Sequence, residues 1–205
     1  NAHFIYNVLE SIKMMAEIDE EYDISDAVTS LGKLLRYSMK WVSGNVLVEQ
    51  ELEYIKNYMA LINLRFDYEI YLSLNLPEII LQQEIPKMSL QPIVENSVNH
   101  GIREMNGEGK IRLKVYHVDG DTLGISIRDN GIGMDPDTIE KVLGGNYHEE
   151  QSGGGSNGIA MGNIIARLKL FTQNEDVMTI LSDGKNQGTE VILYLPIKER
   201  EKTDV

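Results

Sequence analysis

The chain of 205 residues is long enough to bury a core, larger than one average domain and short of two. Its 32 acidic against 19 basic residues leave a formal charge of -13, which withholds the broad basic field that phosphate-backbone binding requires and excludes nucleic acid as an expected partner. With no cysteine, disulfides, thiolate metal sites and thiol nucleophiles are excluded, in keeping with a cytoplasmic setting. No apolar run approaches the roughly 20 residues that span a bilayer, so no membrane contact is expected of the chain as given.

From residue 2 to about 18, Phe4, Ile5, Val8, Leu9, Ile12, Met15 and Ala16 recur at helical spacing, with Glu10, Lys13 and Glu17 elsewhere on the wheel. A second helical pattern runs from about 24 to 41 and breaks at Ser43-Gly44-Asn45. A third, from 48 to about 66, carries Leu52, Ile55, Tyr58, Met59 and Ile62. Short loops between helices predict an antiparallel bundle, whose stripes a second copy of the chain would help to bury. Beyond Phe66 the texture changes, and 70–76 alternates up to Pro77 as a strand does. A helix over about 89–101 follows, then a hairpin of strands 110–118 and 122–129. A loop region over 131–157 leads to a helix over about 159–171 and to strands 177–182 and 189–195. The order predicts an α+β chain: a helical segment over 1–66, an α/β sandwich over 67–198 with helices covering one face of a mixed sheet, and a charged tail over 199–205.

Three clusters carry chemistry. In the run Leu90-Gln91-Pro92-Ile93-Val94-Glu95-Asn96-Ser97-Val98-Asn99-His100-Gly101, Asn96, Asn99 and His100 occupy neighbouring helical positions, and Asn96 and His100, at i and i+4, share a face. An amide oxygen suits Mg²⁺, which takes few protein ligands and completes its shell with phosphate oxygens and water. Taken alone, the same residues describe a polar helix face. The second cluster, Asp129-Asn130-Gly131-Ile132-Gly133-Met134, directly follows a strand. A carboxylate there can accept from an exocyclic amine, and the glycines let the backbone close on a flat ring; an Asp-Asn-Gly turn also occurs without any ligand. The third, from Gly153 to Asn163, is a glycine-rich loop entering a helix, where free amides and the helix dipole hold phosphate. It lacks the Gly-Lys-Ser/Thr of a Walker loop and a βαβ setting, and alone it reads equally as a linker.

Together, the order and spacing of these clusters resemble the Bergerat-type ATP-binding domain shared by gyrase, Hsp90, MutL and the histidine kinases, with Gly188-Thr189 matching its closing Gly-Thr. The resemblance implies Mg²⁺ on Asn96, adenine on Asp129, a base pocket shaped by Gly131, Gly133 and Met134, and Thr189 in support of Asp129. It also implies nucleotide contacts from Asn99, His100, Gly158, Met161, Gly162, Asn163 and Arg167, and a lid over about 135–157. The run Asn1-Ala2-His3-Phe4-Ile5-Tyr6-Asn7 resembles the phospho-acceptor box of the LytS/YesM type of sensor histidine kinase, and Leu34-Leu35-Arg36-Tyr37-Ser38 and Leu64-Arg65-Phe66 read like the same family. The implied activity is autophosphorylation of His3 from Mg-ATP in a homodimer, then transfer to an aspartate on the receiver domain of a response regulator.

Neutral imidazole is a usable nucleophile near neutral pH. The transfer asks mainly for positioning and charge neutralisation, to which Lys169 or Arg167 could contribute. Asn7, one turn beyond His3, can orient the ring, and Glu95 is a candidate for positioning the metal or the imidazole. Gyrase-type relatives carry a water-activating glutamate four residues before the metal asparagine; Pro92 stands there in this chain, which predicts poor hydrolysis. Ala2 replaces the usual proline of the acceptor box. Ala160 replaces the second glycine of Gly-Ile-Gly-Leu, where a methyl would crowd the triphosphate and favour a weakly active or purely regulatory module. The chain opens at Asn1 rather than methionine, so a longer protein is expected, anchored in the cell membrane through upstream segments.

Overall fold

The computed structural model describes residues 2–39, 44–66, 68–105, 108–144 and 157–197, and the backbone alone of Ala2 and 157–160. Helices α1 (Ala2–Ile18) and α2 (Tyr22–Met39) form a hairpin. Its turn closes as a Schellman motif: the Glu21 amide donates to the Ala16 carbonyl (2.8 Å) and the Glu20 amide to the Glu17 carbonyl (3.3 Å). The left-handed residue is Glu20, at φ 61°. On α1, Ile5, Val8, Ile12 and Met15 remain 37%, 40%, 42% and 64% exposed, a stripe along one side of the hairpin.

Strand β1 (Asn45–Leu47) runs directly into α3 (Val48–Arg65), where Gln50 reaches back from the first turn to the Leu47 amide (3.0 Å). Val48, Leu52, Ile55 and Met59, spaced i, i+4, i+7 and i+11, are buried against the sheet. Burying such a side chain is worth about 1.5–3 kcal/mol. Helix α3 also packs along α2, so one flank of it continues the helical segment while another enters the core beneath the sheet. Periodicity shows that a face is apolar and leaves open which neighbour covers it.

Next come β2 (Ile70–Asn75), the single turn α4 (Glu78–Leu81) and β3 (Glu84–Pro86), which pairs antiparallel with β1. Helix α5 (Gln91–Asn96) continues as a π turn over Ser97–Ile102, marked by the Arg103 amide donating to the Val98 carbonyl (3.0 Å). Strands β4 (Gly109–His117) and β5 (Thr122–Asp129) lead to α6 (Pro136–Leu143), α7 (Asn157–Thr172), β6 (Met178–Leu181) and β7 (Glu190–Pro196).

The sheet runs β2-β4-β5-β7-β6, with β2 parallel to β4 and the other neighbours antiparallel, the mixed sheet expected. Register places Leu113 opposite Ile127 and Ile127 opposite Val191, so one face is apolar and takes α3, α5 and α7. On the other face Arg112 stands opposite Arg128.

Helix α6 occupies part of the expected loop. Asp135 caps it, accepting from the amide (2.9 Å) and hydroxyl (2.7 Å) of Thr138, and Pro136 opens the first turn. The glycines at 153–155 and most of the expected lid lie outside the described residues, as does the tail.

Candidate functional site

Strand β5 delivers Asp129 to the floor of a cavity of about 310 Å³. Its carboxylate is 5% exposed. Oδ1 accepts from the amides of Gly131 (2.8 Å) and Thr189 (3.2 Å), and Oδ2 from the hydroxyl of Ser97 (2.8 Å). Burial pushes the Asp129 carboxyl above its ordinary range, opposed by those three donors. The support expected from Thr189 is present, through its backbone amide. Ser97 is an addition; its only signal in the sequence is a hydroxyl next to Asn96, about 100° round the helix.

Two glycines let the floor form. A Cβ on Gly131 would fall 2.3 Å from the carbonyl carbon of Gly101. Gly133 takes φ +76°, with the Gly184 carbonyl only 2.2 Å from where its Cβ would be. Beside them the Met134 amide donates to the Ser182 hydroxyl (3.0 Å). Gly101 is itself instructive, because its missing side chain leaves the Asp129 carboxylate open to the cavity: a Cβ there would lie 3.2 Å from Oδ1.

Asn96, His100, Gly133, Met134, Met161 and Thr189 line the cavity, joined by Ser97, Gly101, Glu104, Ile93 and Ile132. Asn99 and Glu95 do not. At about 100° per residue both turn to the opposite flank from Asn96 and meet α3. The Tyr54 hydroxyl (3.1 Å) and the Gln91 amide (2.9 Å) donate to Glu95, and Asn99 lies beside Tyr58. Burial, then the Glu95 charge, push the Tyr58 phenol up to about 12.

On α7, Gly162, Asn163 and Arg167 are not part of the lining. Arg167 donates to the carbonyls of Lys87, Met88 (2.9 Å) and Asn163 (3.2 Å), so its charge holds a loop rather than a ligand. Lys169 pairs with Glu175 at 2.5 Å. Gly158 opens α7 as backbone, and the side chain of Ala160 lies outside the description.

His3 is exposed on α1, with Asn7 Nδ2 3.3 Å from its Nδ1. It does not line the cavity. A roomier cleft of about 620 Å³ separates the hairpin from α3, but long surface side chains such as Lys13, Lys33, Arg36 and Glu53 line it, and it has no buried acceptor at its floor comparable to Asp129.

Fold and site define a two-layer α/β sandwich with a cavity built on a buried carboxylate, preceded by a helical hairpin bearing an exposed histidine. Residues 1–70 match the family model described as Histidine kinase, and residues 86–199 the one described as Histidine kinase-, DNA gyrase B-, and HSP90-like ATPase. The chain belongs to the histidine kinases of that superfamily. Sensor histidine kinase YesM of Bacillus subtilis (strain 168) is 29% identical over 198 residues, 97% of this chain and 32% of that protein. Sensor protein kinase HptS of Staphylococcus aureus (strain USA300) is 34% identical over 140 residues, 68% of this chain and 26% of that one. The chain spans about a third of the length of the curated relatives it matches. The histidine kinase domain from Erythrobacter litoralis EL346 blue-light activated histidine kinase shares the fold, with a TM-score of 0.51 at 13% identity over 95% of this chain and 93% of that one. No described helix is long and apolar enough to cross a membrane.

Proposed function

We propose that this chain is the kinase region of a sensor histidine kinase that binds Mg-ATP in the Asp129 cavity, phosphorylates His3 and passes the phosphoryl group to an aspartate of a response regulator. The observation that carries the reading is Asp129 itself, a buried carboxylate on the cavity floor beside Gly101, whose missing side chain leaves it uncrowded. Its one remaining lone pair, on Oδ2, suits the exocyclic amine of adenine, and Ile93, Ile132, Met134 and Met161 supply apolar walls for the ring.

Asn96 fits Mg²⁺ as one neutral oxygen beside a cavity with room for phosphates. Among the described residues no group of three or more His, Asp or Glu is placed to hold a metal, so the ion would arrive with the nucleotide. Bound there, it would neutralise phosphate charge. Glu95 is occupied by Tyr54 and Gln91 and serves the site at most through its helix.

At the other end Asn7 sets the imidazole. Rotation of the amide presents either its nitrogen or its oxygen to Nδ1. With the oxygen there, the ring keeps its proton on Nδ1 and offers the Nε2 lone pair, which forms the N–P bond as the bond to the ADP oxygen breaks. Because His3 does not line the cavity, the hairpin of the same chain or of a second copy must approach it. The stripe Ile5, Val8, Ile12 and Met15 suits a homodimeric four-helix bundle. Pro92 is no base, so steady-state hydrolysis stays low. In the longer protein this region would work on the cytoplasmic side of a membrane-anchored sensor.

Calorimetric titration tests the cavity, using Mg-ATP, ATP without Mg²⁺, and Mg-ATP against Asn96→Ala. Affinity about tenfold lower on removing either the ion or the amide is the expected result, equivalent to 1.4 kcal/mol. Equal affinity in all three titrations overturns the metal role of Asn96, and no binding by the parent chain overturns the nucleotide site.

A further inference from the structure

Helix α3 grips the Asn96 helix at two levels. Glu51 is fully buried, and its carboxylate accepts from the amides of Met88 (2.6 Å), Leu90 (3.1 Å) and Gln91 (3.2 Å), donors in the loop before α5 and at its start. One turn on, Tyr54 holds Glu95, the neighbour of Asn96 on the side away from the cavity. The same loop is held through its acceptors by α7, where Arg167 donates to the carbonyls of Lys87 and Met88. Met88 sits at φ 62° between these two grips.

One residue of the hairpin enters this arrangement. Tyr37, near the end of α2, donates its hydroxyl to Glu51, and its ring centroid lies 5.2 Å from that of Tyr54. Lys87 lies 4.7 Å over the same ring and donates to the Tyr37 carbonyl (2.8 Å). Burial and the Glu51 charge push the Tyr37 phenol up, so it remains the donor.

A buried carboxylate is a costly way to fill space, and an apolar side chain of similar volume is often as stable or more so. What an apolar side chain cannot do is aim at three amides and a hydroxyl. We propose that Glu51 is a positioning residue for the nucleotide site, fixing the start of α5 and thereby the reach of Asn96 into the cavity, and that Tyr37 ties this setting to the position of α2. The inference rests on the role of Asn96 proposed above. It gives the hairpin carrying His3 a path to the nucleotide pocket in which the Tyr37 hydroxyl is the contact to Glu51.

The test uses the whole chain with Glu51→Gln, Glu51→Asp and Tyr37→Phe, and Mg-ATP as the probe, below the melting temperature of each variant. Glutamine keeps the volume but turns an NH2 toward amide donors. Mg-ATP affinity should fall about tenfold, on the scale of losing a charged helix cap, with Glu51→Asp in between. Tyr37→Phe keeps the ring and should leave affinity within about twofold of the parent, below what one lost hydrogen bond is worth. In the parent, Mg-ATP should slow amide exchange in α2, and in Tyr37→Phe that slowing should vanish.

A purely structural Glu51 predicts a lower melting temperature with unchanged affinity of the folded protein, and that result overturns the positioning role. Slowing in α2 that persists in Tyr37→Phe overturns the link to the hairpin. Should Glu51→Gln fail to fold, Glu51→Asp is judged by the same criterion. Parent-like binding by Asn96→Ala would remove the metal role of Asn96 and this proposal with it, whereas loss in Asn96→Ala without loss in Glu51→Gln removes the positioning role alone.

Discussion

Gly101 and Asp129 face each other across a space one methyl group wide: a Cβ on Gly101 would lie 3.2 Å from the Asp129 Oδ1. Gly101→Ala fills that space. Glycine within a helix costs roughly 0.5–1 kcal/mol relative to alanine, a gain offset by tight contact with the pinned Asp129 carboxylate, so the variant should melt close to the parent. Its Mg-ATP affinity should fall about tenfold, the equivalent of one obstructed hydrogen bond. Thermal melting and calorimetric titration of the same preparation check both halves.

Asp129→Asn separates binding from folding. The asparagine Oδ1 can still accept from Gly131 and Thr189, and its NH2 can donate to Ser97. Its NH2 would also meet the adenine amine, donor against donor, so Mg-ATP binding should be lost. Burial raises the folded-state pKa of Asp129, so this group's contribution to stability is present below the unfolded value and disappears as pH rises through the folded one. The melting temperature of Asp129→Asn should therefore climb relative to the parent between acid and neutral pH. Parent affinity for Mg-ATP should fall as pH drops through the same transition.

Gly131→Ala addresses the fold. Its Cβ would stand 2.3 Å from the backbone of Gly101, with no flexible group able to yield. A loss of about 3 kcal/mol or more is expected, on the scale of overpacking a core. Urea unfolding should show it as a lower midpoint at an unchanged slope.

These variants also mark what was legible beforehand. Asp129, Asn96, Met161 and Thr189 belong to clusters whose order and spacing resemble one family pattern, and the cavity lining contains all four. Gly101 escaped notice because a missing side chain matters only through its spatial neighbour. Glu51 looked like any glutamate on an amphipathic helix, since burial depends on which partner covers that face. Arg167 carried the charge expected of a phosphate contact, and hydrogen bonding commits it to two carbonyls far away in sequence. The signals for α6, Asp135 and Pro136, lie inside the 131–157 region that reads as one loop from the sequence.

Changes on α1 should leave the cavity alone. Asn7→Ala removes the contact to His3 and should slow autophosphorylation about tenfold at saturating Mg-ATP, within the range of positioning effects, with nucleotide affinity unchanged. Rates and titrations together check this. Ile12→Glu places a charge in the exposed stripe of α1 and should shift the chain from dimer to monomer in sedimentation equilibrium, because a charge does not enter an apolar helix interface unpaired.

The most direct measurement is incubation of the chain with γ-labelled ATP and Mg²⁺, beside His3→Gln and Asn96→Ala. Acid-labile, base-stable label on the parent, absent from both variants, is the predicted result and locates the two ends of the transfer. Label that persists in His3→Gln, or a parent that binds Mg-ATP as a dimer and stays unlabelled, would contradict phosphorylation of His3 by this chain.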